Sequence, residues 1–295
     1  MALNVQTNIT SLTAQRDLRL TRNKNEEAIN NLSSGKRVNT AKDDPCNLEI
    51  SHKFTSQINC LQRGNRNASE GQAVADEAES SLAEDFTILQ RIRQLAIQSA
   101  NGTNTSEDRL TMQCEVSKLC SEITRIACKT TYGGSQLLNG KSNGIIDDAG
   151  KLTLQVGANA NTTLEVNLDV SFTMSSLQNH LGGVSDGQGY NATDKAFDIS
   201  TQSSAQMVLE SIDSYIEYVD SKKSELGAVS NRIDSSIRNQ QQMHEDESSS
   251  RSQMVDADYA TESSKMIESD IMTNATSQML MQANARPGLV ASLLS

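Results

Sequence analysis

Apolar positions in this chain recur at helical spacing toward both ends and at strand spacing only in the middle. Over residues 209–237, Leu209, Ile212, Ile216, Val219, Leu226 and Ile233 fall on alternating three- and four-residue steps, the seam of a coiled coil. Lys223 and Ser230 occupy seam positions, which weakens an isolated dimer and favours partner helices from elsewhere in the chain. A second stripe passes through Phe54, Ile58, Leu61, Ala68, Ala75, Leu82, Phe86 and Leu89, and a third through Val116, Leu119, Ile123 and Ile126. Three such stripes can close one bundle, in which Leu209, Ile212, Ile216 and Ile233 pack on the helix carrying Phe54, Ile58 and Leu61.

Local signals bound these helices. Pro45 disfavours helix at Asp44, and Asp43 or Asp44 is placed to cap the helix after the proline. A helix over residues 48–99 would be on the order of 75 Å long at 1.5 Å per residue. Asn101 and Gly102 end it, a new helix starts near Ser106, and Tyr132, Gly133 and Gly134 stop that one. From residue 140 to 200 the period falls to two. Leu152, Leu154 and Val156, then Leu164, Val166, Leu168 and Val170, alternate with polar residues around GANANTT, a hairpin signal, and DGQGYNATD over residues 186–194 is turn-rich. The two ends carry thinner stripes. Val5, Ile9, Leu12, Leu18, Ile29 and Leu32 precede the interruption at Ser33, Ser34 and Gly35, while Ile267, Ile271, Met279, Leu280 and Leu293 are broken at Pro287 and Gly288. The expected fold is mainly α: a long coiled-coil-like helical rod bundle formed by the N- and C-terminal segments, with a small β-hairpin region in the middle.

Composition agrees with helices that rely on neighbours. Aromatic residues make up 3% of the 295 positions, with no Trp and 2 Pro, which argues against a thick globular core and permits uninterrupted helices. A formal net charge of -11 argues against a nucleic-acid partner, whose phosphates need Lys and Arg. No apolar run reaches membrane-spanning length, so no membrane insertion is expected. The start MALNVQTNITSL has neither the basic nor the apolar region of a cleavable signal, so any export is expected by another route. Cys46, Cys60, Cys114, Cys120 and Cys128 are odd in number and at no metal spacing; they read as small buried or half-buried hydrophobes.

The segments NVQTNITSLTAQRDL, LSSGKRVNTAKDDPCNLEIS and LQRIRQLAIQSANGTNTSEDR resemble the amino-terminal block of bacterial flagellin. VDSKKSELGAVSNRIDSSI, RSQMVDADYATES and MLMQANARPGLVASLL are similar to its carboxy-terminal block, and LQVGANANTTLEV to the strand pair after the first block. The resemblance implies a structural, non-enzymatic subunit that polymerises into the bacterial flagellar filament for swimming motility; a hook-filament junction protein is the alternative, and an enzyme on a flagellin frame a remoter one. Residues 1–43 and 254–295 would form the terminal inner-tube helices, 44–140 and 200–253 the helical rod, and 141–199 a short outward-facing β and loop region. The implied location is extracellular, in the flagellum, after export without a cleaved signal peptide. The implied partners are further copies of the chain, the export chaperone at the C-terminal segment, and the filament cap and hook-junction proteins. The stretch NQQQMHEDE stands where the family has a more apolar run, so loose packing is expected near Gln240.

Chemistry is sparse. His52, His180 and His244 lie far apart; His244 with Glu247 shares a helix face but gains no converging third ligand, and a solvated charged face accounts for it. Asp43 with Asp44 and Asp256 with Asp258 read as caps and joint carboxylates, leaving no expected catalytic, cofactor or metal site. The resemblance marks residues 89–99 as the segment read by the animal innate immune receptor for flagellin, with Gln90, Arg91, Leu95, Gln98 and, on the next helix, Glu122 at the matching positions. The residues alone say that Leu89, Ile92, Leu95 and Ala96 are core and Arg91 is solvated.

Overall fold

A computed structural model describes residues 7–140, 145–147, 150–169, 171–181, 189–191 and 195–294. Val5, Val170 and residues 186–188 and 192–194 of the turn-rich segment lie outside the described residues, as does the side chain of Leu293. The chain divides into two compact units, one made of Met1–Ile58 with Glu245–Ser295 and the other of Asn59–His244. The long helices α2 (Pro45–Ala100) and α5 (Gln202–Val255) run through both.

In the first unit α1 (Ile9–Ser34) pairs with α6 (Tyr259–Leu294). Asn8 caps α1, its side chain accepting from the Ser11 amide, and Gly35 ends it in the left-handed conformation at φ 68° that a side chain would resist. The chain then bridges to the far end of α5, with the Arg37 amide donating to Val255 O at 2.7 Å and the Ala257 amide to Gly35 O at 3.0 Å. Asp44 Oδ1 accepts from the amides of Cys46 and Asn47, capping α2 with Pro45 at its first position, where a missing N–H costs nothing. Bonds from backbone amides hold the Asp43 and Asp44 carboxyls below their usual range. The break expected at Pro287 and Gly288 does not occur, because the backbone of α6 stays helical through both. A proline removes one donor, and the acceptor it orphans takes a side-chain donor from Asn8 instead.

In the second unit α2, α3 (Ser106–Lys129) and α5 enclose a core that includes Leu82, Leu89, Ile92, Ile123, Phe197, Ile212, Tyr215 and Ile233. Thr105 and Asp108 form a reciprocal capping box at the start of α3. Gly133 at φ 58° and Gly134 at φ 87° turn the chain between β1 (Thr131–Tyr132) and β2 (Ser135–Gln136), so they serve a hairpin beyond the helix end at Lys129. β3 (Lys151–Gln155) pairs antiparallel with β4 (Thr163–Asn167), setting Leu152 opposite Val166 and Leu154 opposite Leu164. The middle also holds a helix, α4 (Met174–Leu181), that the β reading missed, since MSSLQNHL is too short to show a period. β5 (Tyr190–Asn191) and β6 (Ala196–Phe197) form a third hairpin.

Within this unit α2 and α5 run antiparallel. Gln62 Nε2 lies 3.2 Å from His244 Nε2, Gln72 Nε2 donates to Ser230 Oγ, Lys223 Nζ stands 5.2 Å over the Phe86 ring, and Arg93 Nε donates to Asp213 Oδ1 at 2.7 Å. The two polar seam residues Lys223 and Ser230 thus meet partners on α2. This register lays Leu209 and Ile212 just beyond Arg93, Ile216 between Arg93 and Phe86, and Ile233 just before Gln72, and not alongside Phe54, Ile58 and Leu61. Ile58, Leu61, Ile212 and Ile233 are buried; Phe54, Leu209 and Ile216 are half-buried. Gln240, expected in a loose region, is buried at 5% exposure because α2 presents Gly64 to it, and its Nε2 donates to Ser236 Oγ at 3.1 Å.

The hairpin seats on α2 where that helix lacks side chains. A Cβ on Gly64 would lie 2.3 Å from Val156 O, one on Gly71 would lie 2.1 Å from Leu154 Cδ1, and between them Asn67 Nδ2 donates to Gln155 O at 3.0 Å. Seven residues separate the two glycines, which places them on one face of the helix.

Candidate assembly interface

The α1 and α6 pair is built with its polar residues inside. Buried on α1 are Ser11, Ala28 and Asn31, and on α6 Glu262 and Ser269. Across the antiparallel seam Ser11 Oγ donates to Asn284 Oδ1 at 2.6 Å, Asn25 Nδ2 to Asp270 Oδ1 at 2.5 Å, and Asn31 Nδ2 to Glu262 Oε2 at 3.4 Å. Lys265 Nζ donates to the other Glu262 oxygen at 2.7 Å, so the buried carboxylate is paired. Asn39 Nδ2 reaches Asn31 Oδ1 at 3.1 Å, and the Tyr259 hydroxyl donates to Leu32 O at 3.2 Å.

Many of the large apolar side chains are left uncovered by the pair, although Leu18, Leu32, Met266 and Leu280 are half-buried. Ile9, Leu12, Leu20 and Ile29 of α1 and Tyr259, Ile267, Ile271, Met272, Met279 and Met281 of α6 are 48–64% exposed. An ordinary helix pair buries such residues against its partner and turns polar ones to water. Each aliphatic side chain here gains roughly 1.5–3 kcal/mol if a neighbour covers it fully, so the outer faces hold the larger unrealised stabilisation. A concentration of exposed large apolar residues on one helix pair marks an interaction site.

The residues singled out by resemblance lie in the second unit. Gln90, Arg91 and Gln98 are exposed on α2, whereas Leu95 is buried at 3% exposure in the core. Glu122 is half-buried on α3 and pairs with Arg125 of its own helix at 2.6 Å. The carboxylate brought to Arg91 belongs to Glu115, whose Oε1 accepts from Arg91 Nη2 at 2.8 Å and Nε at 3.0 Å. Sequence reading missed Glu115; the signal available was its place two turns before Glu122, on the same face of α3.

Among the described residues no group of three or more His, Cys, Asp or Glu is placed to hold a metal ion, and no helix is long and apolar enough to cross a membrane. All five cysteines are free thiols. Cys120 is buried, its thiol pushed up to about 12 by burial, and Cys128 is half-buried. Cys46, Cys60 and Cys114 are exposed, correcting the expectation that the set is buried or half-buried; they occupy outward positions next to the apolar stripes.

A terminal helix pair with a polar seam and an apolar exterior, in a chain whose other unit has a complete core, defines a structural subunit meant to be covered by other chains. Comparison with known proteins agrees. The family model described as the bacterial flagellin N-terminal helical region matches residues 5–143, and the bacterial flagellin C-terminal helical region matches residues 209–294. Flagellin of Halalkalibacterium halodurans is 32% identical over 97% of this chain and 98% of its own length, and flagellin D of Vibrio cholerae is 32% identical over 100% of both. B-type flagellin of Pseudomonas aeruginosa is 44% identical over 57% of this chain, which spans 33% of that protein. The crystal structure of Bacillus cereus flagellin is similar at a TM-score of 0.48, with 22% identity, over 59% of this chain and 88% of that one. The chain belongs to the bacterial flagellins, the structural-protein family of the flagellar filament.

Proposed function

We propose that this chain polymerises into a swimming filament through the outward apolar faces of α1 and α6. The observation that carries the reading is the inverted helix pair: a seam of Ser, Ala, Asn and Glu, and an exterior of Ile, Leu and Met. Polymerisation covers that exterior, and contacts between unlike surfaces that do not close extend into a helical lattice. In this reading residues 1–43 and 254–295 are the inner-tube segments, 44–140 and 200–253 the rod, and 141–199 the outward region. The chain leaves the cell through the flagellar export apparatus without a cleaved signal peptide, its C-terminal segment held by the export chaperone, and joins under the filament cap above the hook-junction proteins. Ile271→Asp tests the surface, since it would bury an unpaired carboxylate at each contact. The variant is expected to keep the melting curve of wild type yet remain in the supernatant after salt-induced assembly, with chelator and reductant present throughout. Normal pelleting of Ile271→Asp would place the contact elsewhere, and failure of wild type without metal or under reductant would reopen the roles of His244 and the cysteines.

Recognition of the monomer by the innate immune flagellin receptor is proposed at Gln90, Arg91, Gln98 and Glu122, supported by the exposure of Gln90, Arg91 and Gln98 along one helix; Leu95, buried in the core, is dropped from that set. Arg91 offers a planar donor set already oriented by Glu115, and such side chains are frequent binding anchors. Arg91→Ala should lower receptor-reporter potency by about tenfold or more. Its melting curve should barely move, because an exposed ion pair contributes only about 0–1 kcal/mol. Equal potency at equal stability would remove Arg91 from the contact.

A further inference from the structure

The two terminal helices carry different apolar chemistry. The exposed large apolar residues of α1 are Ile and Leu, and that helix has no methionine, whereas α6 holds four of the ten methionines in the chain, Met266, Met272, Met279 and Met281. Of these, Met272, Met279 and Met281 are 50%, 64% and 63% exposed. Met272 and Met279, seven residues apart, share one side of the helix, and Met281 stands nearly opposite Met279. Met272 also borders a shallow apolar recess with Ile267 and with Ile271, the position chosen above to test assembly. Their exposure does not depend on α1, since with α1 away the three sulfurs are more open still. In the Asn59–His244 unit, by contrast, Met112 and Met174 are buried in the core at 8% and 0% exposure, and Met207 and Met243 are 40% exposed on α5.

A thioether fills an irregular apolar contact well, yet a mild oxidant turns it polar, a reaction that Ile and Leu do not have. With hydrogen peroxide a sulfur lone pair attacks one oxygen, and the O–O bond breaks as the S–O bond forms. The departing hydroxide takes the proton from the new S–OH group and leaves as water. Sulfur loses two electrons and peroxide gains them. The sulfoxide oxygen is then a polar acceptor, and a contact of Ile, Leu and Met offers it no donor.

We propose that Met272, Met279 and Met281 are the oxidation sites through which peroxide controls assembly: sulfoxide on the unassembled chain excludes it from the polymer, and polymerisation shields the same sulfurs. The proposal rests on the polymerisation reading, which supplies the contact that the sulfoxide disrupts.

The test treats the full-length wild-type chain with substoichiometric hydrogen peroxide and then with a thiol reductant. The reductant restores sulfenates and disulfides at the exposed Cys46, Cys60 and Cys114 and leaves the methionine sulfoxides in place. After salt-induced assembly, pellet and supernatant are compared by peptide-resolved mass spectrometry. Sulfoxide at residues 272, 279 and 281 is expected to be enriched in the supernatant by about tenfold or more, the scale of leaving a polar group unpaired in an apolar contact. Sulfoxide at Met207 and Met243 should divide evenly. Even division at all five positions, or enrichment at Met207 and Met243 alone, would overturn the proposal. A chain carrying Met272→Leu, Met279→Leu and Met281→Leu keeps side-chain volume and all five cysteines, and should pellet after the same treatment. Loss of pelleting as large as in wild type would overturn the assignment to these three residues. Methionine sulfoxide reductase, supplied with a dithiol that closes to a disulfide as the oxygen leaves as water, should return the supernatant chain to the pellet. Chain that stays out once its sulfoxides are gone would count against the proposal in the same way. In preformed filaments the three sulfurs should oxidise more slowly than in monomer, and equal rates would place them outside the contact. Failure of the untreated chain to pellet would overturn the polymerisation reading and this proposal with it, whereas equal pelleting of untreated and oxidised chain would overturn this proposal alone.

Discussion

Asp85→Leu is expected to stabilise the Asn59–His244 unit at neutral pH and to remove a pH dependence that the wild type shows. Asp85 sits on α2 at 1% exposure, and neither carboxylate oxygen has a hydrogen-bond partner among the described residues. Burial pushes its pKa from 3.8 to about 8, and the like charges of Glu122 and Glu84 add to the shift. A folded pKa above the unfolded one means that the native state binds the extra proton. The contribution of this group is therefore fully present below pH 3.8 and is lost progressively as pH rises to about 8. At pH 7 the loss is on the order of 4 kcal/mol, an upper figure because a carboxyl that ionises draws in solvent. Leucine removes both the proton requirement and the unpaired oxygens, and Asp85→Asn separates the two by keeping the shape. Chemical denaturation at pH 5, 7 and 9 should show wild type weakening with pH relative to both variants. Parallel curves for all three would mean that Asp85 ionises freely and is not the desolvated group its position indicates.

Gly64→Ala is expected to destabilise the same unit by about 1–3 kcal/mol, as overpacking does, although alanine in a helix interior normally gains about 1 kcal/mol over glycine. The new Cβ would lie 2.3 Å from Val156 O and 2.8 Å from Gln240 Oε1. Val156 O is backbone at the end of β3, so relief requires the hairpin to move off α2 and not merely a rotamer to change. Gly227, in the middle of α5, has nothing within 4 Å of a Cβ, and Gly227→Ala should follow the propensity rule with about 1 kcal/mol of gain. Urea unfolding of the pair is the measurement. The same sign for both would show that hairpin contact does not constrain α2 at residue 64.

Much of the secondary structure was legible because it rests on local physics. Stripes at three- and four-residue steps, Pro45 after a capping Asp, a helix restart near Ser106, and alternation around GANANTT each act over a few residues. What could not be read depends on residues far apart in sequence. The α5 seam was expected against Phe54, Ile58 and Leu61, but a stripe has the same period all along and does not state its own register. Polar contacts from Gln72, Arg93 and Lys223 select it. Gly64 and Gly71 carry no signal of their own in the stripe; only the hairpin lying on them shows that the missing side chains are the reason it can lie there. Glu122 came from the resemblance alone, and only packing shows that Glu115, two turns before it on α3, is the carboxylate brought to Arg91.

The sequence alone determined that the ends of this chain are helices, that the middle contains a hairpin, and that the family is flagellin, because helix and strand periods and motif order are one-dimensional properties. It also showed that the terminal stripes are thin. Which side of each terminal helix faces its partner was decided only by tertiary structure. Thin stripes said only that the terminal helices need neighbours; the structure has α1 and α6 meet through Ser11, Asn31, Glu262 and Ser269 and leave Ile9, Leu12, Ile271 and Met279 outside. The physical reason is that a hydrophobic face specifies only that it be covered, not by what, while hydrogen bonds such as those from Ser11 to Asn284 and from Asn31 to Glu262 specify a place.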